Sequence, residues 1–213
     1  LEVLRGQGVK DDLVQRLEDY PTGIVTVEVD EGGKPTFEIG EDAAWDHWEW
    51  NQAIEEKVRQ ADAVCYGTLG QRGQKPREGI GKAMEVANEE GIMRVHDVNL
   101  RPPFFDDAVI RDSLGLCSVY KLSDDELERV CQACGIPLSD DPLQSLRAIL
   151  EKYALEVLVM TKGAEGAVLL TSDSTHEQPG VKATIVDTVG AGDSFTAALT
   201  LGLLRKDPFP EIL

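Results

Sequence analysis

The chain has 213 residues, of which 42% are hydrophobic and 28% charged, a balance typical of a globular protein with room for one sizeable core. Its formal net charge of −18 argues against a nucleic-acid-binding surface. The longest apolar runs, such as residues 157–160, are too short to span a bilayer, and residues 1–10 mix charged and apolar side chains unlike a secretory signal. We therefore expect no nucleic acid and no membrane among its partners.

The cysteines favour a reducing, cytoplasmic compartment. Cys65 and Cys117 lie in or beside apolar runs, where buried free thiols are common. Cys131 and Cys134 have the spacing of a metal or redox pair, but they end a predicted helix and no second pair or nearby histidine completes a zinc site. The three histidines share no metal-ligand spacing, so we assign none of them to catalysis: His47, His96 and His176.

The chain opens with helical pieces over residues 1–17, broken by a turn at 6–8. Residues 22–29 and 36–39 then alternate apolar and polar side chains around an Asp-Glu-Gly-Gly turn at 30–33, which predicts a β-hairpin. The chain begins without Met and without a strand-rich opening, so we expect a fragment or a chain whose ordered part begins late.

From residue 48 onward, helical stretches alternate with short apolar runs. We predict helices at about 48–59, 78–90, 123–134 and 142–153, and strands at 63–66, 93–95, 117–120, 157–160, 167–171 and 183–186, with a polar connection at 172–180. Strands that are apolar throughout and alternate with helices predict a mostly parallel sheet covered on both faces. The fold class is therefore α/β: a three-layer α/β/α sandwich in a single domain over residues 1–213, with an antiparallel excursion at about 22–40.

Ligands bind such sheets where strands end and helices begin, and one such junction is rich in small residues. Gly190, Ala191 and Gly192 precede an apolar helix, and Asp193 lies on its first turn. Exposed backbone N–H groups and the helix dipole make an anion hole, beside which a carboxylate can accept a proton. A tight turn capped by Asp193 explains the same residues. A dinucleotide-binding turn is excluded by Phe195, and no Walker loop is present.

The whole segment 187–199, DTVGAGDSFTAAL, resembles the C-terminal signature of the ribokinase-like (PfkB) carbohydrate kinases. The resemblance implies a ribokinase-like fold and an ATP-dependent phosphotransferase with an alcohol group as acceptor. It implies that Asp193 is the catalytic base, and that Gly190, Ala191 and Gly192 form the anion hole for the transferred phosphoryl group.

Two further segments resemble the same family. Residues 161–166, TKGAEG, resemble its nucleotide-phosphate loop, which assigns ATP contacts to Thr161, Lys162, Gly163 and Gly166, although a simple β-turn has the same composition. Residues 97–101, DVNLR, resemble a segment of fructokinase-like and ketodeoxygluconate-kinase-like members. It assigns substrate or phosphate contacts to Asp97, Asn99 and Arg101. A solvated loop before Pro102 and Pro103 is the alternative.

Glu126 is the candidate residue for Mg²⁺. The family usually carries Asn-x-x-Glu here, with the Glu organising magnesium through water, but this chain has Ser123 in place of the Asn. Ser123 and Glu126 also make a capping box for the next helix, and the two roles are compatible.

The predicted hairpin lies where this family places its lid, a small sheet that covers the sugar and often forms a homodimer contact, although lid monomers share the pattern. Trp45, His47, Trp48 and Trp50 follow it, and we expect them to pack at the junction of sheet and lid. The resemblance runs from Val9 onward, and we expect the family's first strands, with its sugar-binding Gly-Gly segment, and its closing adenine-binding elements to lie outside this sequence.

The function implied is ATP- and Mg²⁺-dependent phosphorylation of a sugar hydroxyl, with fructose favoured by the segment 99–103. Ribose, ketodeoxygluconate and nucleosides are alternative acceptors. A non-catalytic binding or regulatory relative is a second alternative, motivated by Ser123, and a nicotinamide-dependent oxidoreductase is disfavoured by Phe195.

Overall fold

Two separate sheets organise the chain in the computed structural model, which describes residues 1–29, 35–182, 184 and 188–213. The helices of this part are α1 Glu2–Gly6, α2 Gln52–Val58, α3 Gln74–Glu89, α4 Asp107–Leu116, α5 Asp124–Cys134, α6 Pro142–Lys152, α7 Ala191–Arg205 and α8 Phe209–Ile212. Its strands are β1 Val25–Val29, β2 Pro35–Ile39, β3 Ala63–Gly67, β4 Met93–Asp97, β5 Val119–Ser123, β6 Val157–Thr161, β7 Gly166–Leu170 and β8 Thr175–Pro179. Short 3₁₀ turns occur at Ala44–Asp46, Leu69–Gln71 and Gly163–Glu165.

The larger sheet has the strand order β3-β4-β5-β6-β7-β8. Strands β3 to β6 are parallel, whereas β7 and β8 run antiparallel to their neighbours. Because parallel strands end at the same edge, the register brings Asp97 beside Lys121, and Ser123 beside Thr161. The carboxyl edge of this sheet therefore collects most of the polar residues that the sequence singled out.

Helices cover both faces of this sheet, because successive strand side chains point to opposite sides. Tyr120 and Leu122 of β5 are fully buried in a core shared with α4, α5 and α6. Val119, on the other face, packs in a second core with Leu199 of α7 and Ile212 of α8. These layers confirm the predicted α/β fold class and its mostly parallel sheet.

Strands β1 and β2 form the predicted antiparallel hairpin, with Val25 opposite Ile39. The turn predicted at 30–33 lies outside the described residues. At the exit of the hairpin, the Trp45 ring lies against Arg72 and the Trp48 ring packs against Gly79, as expected for a packing cluster.

Two expectations for the secondary structure were wrong, and one helix was missed. The connection predicted at 172–180 contains β8, an edge strand whose polar side chains alternate between exposed and half-buried positions. Helix α4 was not predicted, although Asp106 caps it by accepting a hydrogen bond from the Val109 N–H at 2.7 Å. The helical pieces expected over 1–17 reduce to the short α1. Most of the strand predicted at 183–186 lies outside the described residues.

All four thiols are free. Cys117, Cys131 and Cys134 are buried, whereas Cys65, on the strand at one end of the described sheet, is exposed. Within the described ranges, no helix has both the length and the apolar character needed to cross a membrane.

Candidate active site

Two clefts meet at the start of helix α7. The large cleft has a volume of 930 Å³ and is bordered by the ends of β4 and β5, the loop 99–104, part of β2 and residues 188–193. The small cleft has a volume of 340 Å³ and is bordered by the loop after β6, residues 178–181 and the first turn of α7. Gly192 lines both clefts. A group transferred between molecules in the two clefts would pass this helix start.

The helix start has the geometry of an anion hole. Gly190 is the N-cap residue, its φ is 77°, and no side chain caps the helix. Asp193 is exposed on the first turn and lines the large cleft, so it does not act as the helix cap. The first N–H groups of a helix lack intrahelical partners, and its dipole adds positive charge there. Asp187, the first residue of the signature, lies outside the described residues.

A buried ion pair lies directly beneath this helix start. Lys121 Nζ is 2.9 Å from Asp97 Oδ2, and the two side chains are 8% and 12% exposed. The Thr196 hydroxyl on α7 lies 2.7 Å from the same carboxylate oxygen. A β-carbon added to Gly192 would lie 3.2 Å from Lys121 Nζ, so the ammonium group reaches the helix backbone. The large cleft is therefore lined by a lysine charge next to the start of α7.

The Asp97 carboxylate has two partners in the structure, Lys121 and Thr196. Asp97 also lines the large cleft. The sequence analysis overlooked Lys121 and Thr196. A lysine inside the apolar run 119–122 was the available signal, because a buried charge requires a partner.

Glu126 joins two loops at this edge of the sheet. Its Oε2 accepts a hydrogen bond from the Ser123 N–H at 2.8 Å, which is the Glu126 half of the predicted capping box. Its Oε1 accepts one from the Leu100 N–H at 2.6 Å, and so holds the loop that follows β4. Within the described ranges, no cluster of three or more histidine, cysteine or acidic side chains could hold a metal ion.

Asn99 and Arg101 flank the fixed Leu100, and both line the large cleft. Asn99 has a φ of 39°, an unusual backbone conformation for a residue other than glycine. Arg101 is exposed, and its guanidinium donates a hydrogen bond to the Leu100 carbonyl at 3.1 Å. Arg101 therefore bonds to a carbonyl of its own loop and also lines the large cleft.

The loop after β6 forms one wall of the small cleft through Thr161, Gly163 and Gly166. Gly166 has a φ of 103°, and a β-carbon there would collide with the Gln178 carbonyl, so only glycine fits. The Lys162 backbone N–H bonds to the Gly166 carbonyl at 2.7 Å, while Lys162 Nζ lies 4.0 Å from Glu177. The lysine side chain is therefore directed toward β8.

His96 lies on the opposite face of β4 from Asp97. Burial lowers the pKa of His96 to about 3, so the ring is neutral at physiological pH. Its ring lies 4.5 Å from that of Tyr66 and 5.5 Å from that of Tyr120, centroid to centroid. This histidine belongs to the core.

Comparison with known proteins identifies the family. The model of the pfkB family carbohydrate kinases matches residues 1–213. This chain belongs to that family. Aminoimidazole riboside kinase of Salmonella typhimurium is 26% identical, with 100% of this chain and 66% of the relative covered. The fructokinase of Escherichia coli is also 26% identical, with 92% and 64% covered.

The fold comparison agrees with this membership. A ribokinase II structure from Escherichia coli has a TM-score of 0.87 at 19% identity, covering 100% of this chain and 68% of its own. The ATP-bound fructokinase of Xylella fastidiosa has a TM-score of 0.83 at 19% identity, covering 96% and 63%. These likenesses establish a ribokinase-like fold. The chain spans about two thirds of the length of the curated relatives, at 66% and 64%.

Proposed function

We propose that the protein phosphorylates a hydroxyl group of a sugar with ATP and Mg²⁺, with Asp193 as general base. The observation that carries this proposal is the shared position of Gly192. It lines the large cleft with Asp193 and also the small cleft with Thr161, Gly163 and Gly166. A phosphoryl donor in one cleft and an acceptor in the other would meet at the helix start.

In the proposed reaction, the acceptor hydroxyl lies in the large cleft and gives its proton to the Asp193 carboxylate. The acceptor oxygen forms a bond to the γ-phosphorus while the bond from that phosphorus to the bridging oxygen breaks, and ADP leaves. Of the predicted anion-hole residues, Gly192 offers its backbone N–H to the negative charge of the transferred group, as does Asp193 beside it. The Ala191 N–H instead donates to the Thr188 carbonyl at 3.2 Å. Lys121, which lines the large cleft, adds a positive charge beside this helix start.

The residues at this edge fit Mg²⁺. Magnesium needs few protein ligands, because it keeps several waters and binds substrate phosphates. Each Glu126 oxygen accepts one backbone N–H and retains a further lone pair, so Glu126 would hold the ion through water. When bound, Mg²⁺ neutralises charge on the β- and γ-phosphates.

Fructose is the proposed acceptor, supported by the segment 99–103 at the large cleft and by fructokinases among the relatives. A riboside is the second candidate, favoured because the aminoimidazole riboside kinase aligns with 100% of this chain. Asn99 and Arg101 supply the polar contacts that either acceptor needs.

The test measures ADP release with fructose, ribose, ketodeoxygluconate and a nucleoside as acceptors. Asp193→Asn should lower kcat about a hundredfold or more, because the general base is lost. Asp173→Asn, at an exposed turn that lines neither cleft, is the matched control and should leave kcat unchanged. Turnover by Asp193→Asn at the level of the control would contradict the mechanism.

We also propose a cytoplasmic protein that forms a homodimer through the hairpin. The free thiols support a reducing compartment. Val25 and Val27 of β1 are 54% and 51% exposed, which supports pairing through the lid. Light scattering of wild type and Val27→Glu tests this, since the substitution should produce monomers.

A further inference from the structure

Arg72 lies buried behind the wall of the large cleft, in a cluster outside the site described above. Its side chain is 8% exposed. Arg72 Nε donates to Asp46 Oδ1 at 2.6 Å, and one terminal nitrogen donates to Asp46 Oδ2 at 2.7 Å. The same nitrogen donates to the Gly40 carbonyl at 2.6 Å. The guanidinium fork thus ties two points of the segment that leaves the hairpin.

Two aromatic rings enclose the same guanidinium. The Arg72 Cζ lies 4.1 Å from the Trp45 ring centroid and 4.6 Å from the Phe104 ring centroid, distances at which cation–π attraction operates. Burial acts to raise the pKa of Asp46, but hydrogen bonds from Arg72 and from the Ala43 N–H lower it overall, so the carboxylate stays ionised. The cluster is a buried ion pair stacked between two rings, in which Arg72 Nε and Nη2 are hydrogen-bonded and Nη1 has no hydrogen-bond partner.

The backbone approach is also close at this point. A β-carbon added to Gly73 would collide with the Asp46 carbonyl, so the residue after Arg72 must be small. Gln71 fixes the preceding turn by donating to the Gly67 carbonyl at 3.1 Å and to the Ser113 hydroxyl at 2.9 Å. Arg72 therefore projects from a rigid base.

The three segments that Arg72 joins all border the large cleft. Gly40 directly follows β2, whose Glu38 and Ile39 line it. Phe104 lines it from the loop after β4, and Leu69 lines it from the turn that precedes Arg72. None of the bonds made by Arg72 reaches the small cleft.

We propose that Arg72 is a positioning residue that holds the hairpin over the acceptor and thereby sets the shape of the acceptor side only. This inference rests on the proposed function. Arg72 acts through Gly40 and Phe104, since its contacts are to these walls and not to the cleft interior. A firmly seated lid excludes water from the transferred phosphoryl group, so loosening it should weaken acceptor binding and permit ATP hydrolysis without acceptor.

The test uses Arg72→Lys, which keeps the charge but loses the fork that binds Asp46 and Gly40 together. The Michaelis constant for the acceptor should rise about tenfold, that for ATP should change less than about twofold, and ADP should be released in excess of phosphorylated acceptor. Arg77→Lys is the matched control on α3, because Arg77 is 34% exposed, pairs with Asp112 at 2.9 Å and lies outside the large cleft.

Trp45→Leu provides a second variant, because it removes one stacking ring and leaves the ion pair with Asp46 in place. Trp45→Leu should also raise the Michaelis constant for the acceptor and the excess of released ADP, by smaller factors than Arg72→Lys. It keeps the inference testable if Arg72→Lys fails to fold. Equal changes in the two Michaelis constants, or no difference between Arg72→Lys and Arg77→Lys, would overturn the inference.

Hydrogen exchange measured without substrate separates this inference from the proposed function. Amides of β1 and β2 should exchange at least about tenfold faster in Arg72→Lys than in Arg77→Lys, whether or not any acceptor is phosphorylated. Unchanged exchange in the hairpin overturns the holding role. If the wild-type protein phosphorylates no acceptor, the proposed function is refuted. The hydrogen-exchange result then decides by itself whether Arg72 holds the hairpin.

Discussion

Replacing Lys121 with Met tests the charge beneath the helix start. Lys121 pairs with Asp97 at 2.9 Å, with side-chain exposures of 8% and 12%. Removing one partner of a buried pair costs about 3–5 kcal/mol, because the other charge is left uncompensated. Since both side chains retain some contact with water, we expect a loss near the lower end, about 3 kcal/mol. For a chain of this size that loss lowers Tm by about 6–12 °C.

The effect on turnover has a different origin. A hydrogen bond from an ammonium group to a charged acceptor contributes about 1.5–3 kcal/mol, so losing it at the transferred phosphoryl group should lower kcat about 10- to 150-fold. Asp97→Asn combined with Lys121→Met removes both charges. The double variant should therefore recover much of the stability without recovering kcat.

The assay combines thermal unfolding with ADP release for the two single variants and the double variant. If Lys121→Met keeps the kcat of the wild type at a temperature where the variant is folded, a role for this charge in phosphoryl transfer is refuted. Recovery of kcat together with stability in the double variant would also refute it, because Lys121 would then only offset the charge of Asp97.

Two further predictions follow from buried polar groups. Glu126→Gln leaves the Leu100 or the Ser123 N–H without a full acceptor, so we expect a loss of about 1–3 kcal/mol in unfolding free energy. If Glu126 also holds magnesium, the Mg²⁺ concentration needed for half-maximal activity should rise. A higher Michaelis constant for the acceptor at an unchanged Mg²⁺ requirement would indicate that Glu126 only positions the loop. His96, with its pKa lowered to about 3 by burial, binds no proton in the folded state between pH 6.5 and 3 while the unfolded chain does. The unfolding free energy should therefore fall as pH drops through this window, by up to about 1.4 kcal/mol per pH unit more than in His96→Phe. Denaturant unfolding at pH 7, 6, 5 and 4 measures this difference. The same dependence of unfolding free energy on pH in both proteins would contradict the prediction.

Periodicity and composition predicted the larger sheet well, for a physical reason. Strands β5 and β6 are buried on both faces and are mostly apolar apart from Lys121 and their last residues, Ser123 and Thr161, which distinguishes them from the amphipathic helices around them. Strand β8 is an edge strand whose residues, Thr175 to Pro179, are largely polar, so its hydrophobic pattern is weak. Its antiparallel pairing with β7 cannot be read from composition.

The candidate site likewise contains residues that the sequence predicts and residues that only the fold brings together. Gly190 to Asp193 are contiguous and follow a recognisable signature, so sequence reasoning could find them. Lys121 depends on the register that places it beside Asp97 on the neighbouring strand, 24 positions away in the chain. Arg72 depends on a meeting with Asp46 across 26 positions. Both are charged residues whose partners are determined by the fold.

The turn that carries Gly192 is the one described wall common to the two clefts. Elsewhere the large cleft is bordered by the hairpin and the loop 99–104, and the small cleft by the loop after β6 and residues 178–181. Under the proposed function, the two binding preferences are therefore separable in this chain. Exchanging the hairpin and the loop 99–104 with those of a relative should change which alcohol is accepted and leave the choice of nucleotide intact, which makes these two segments natural units for recombination.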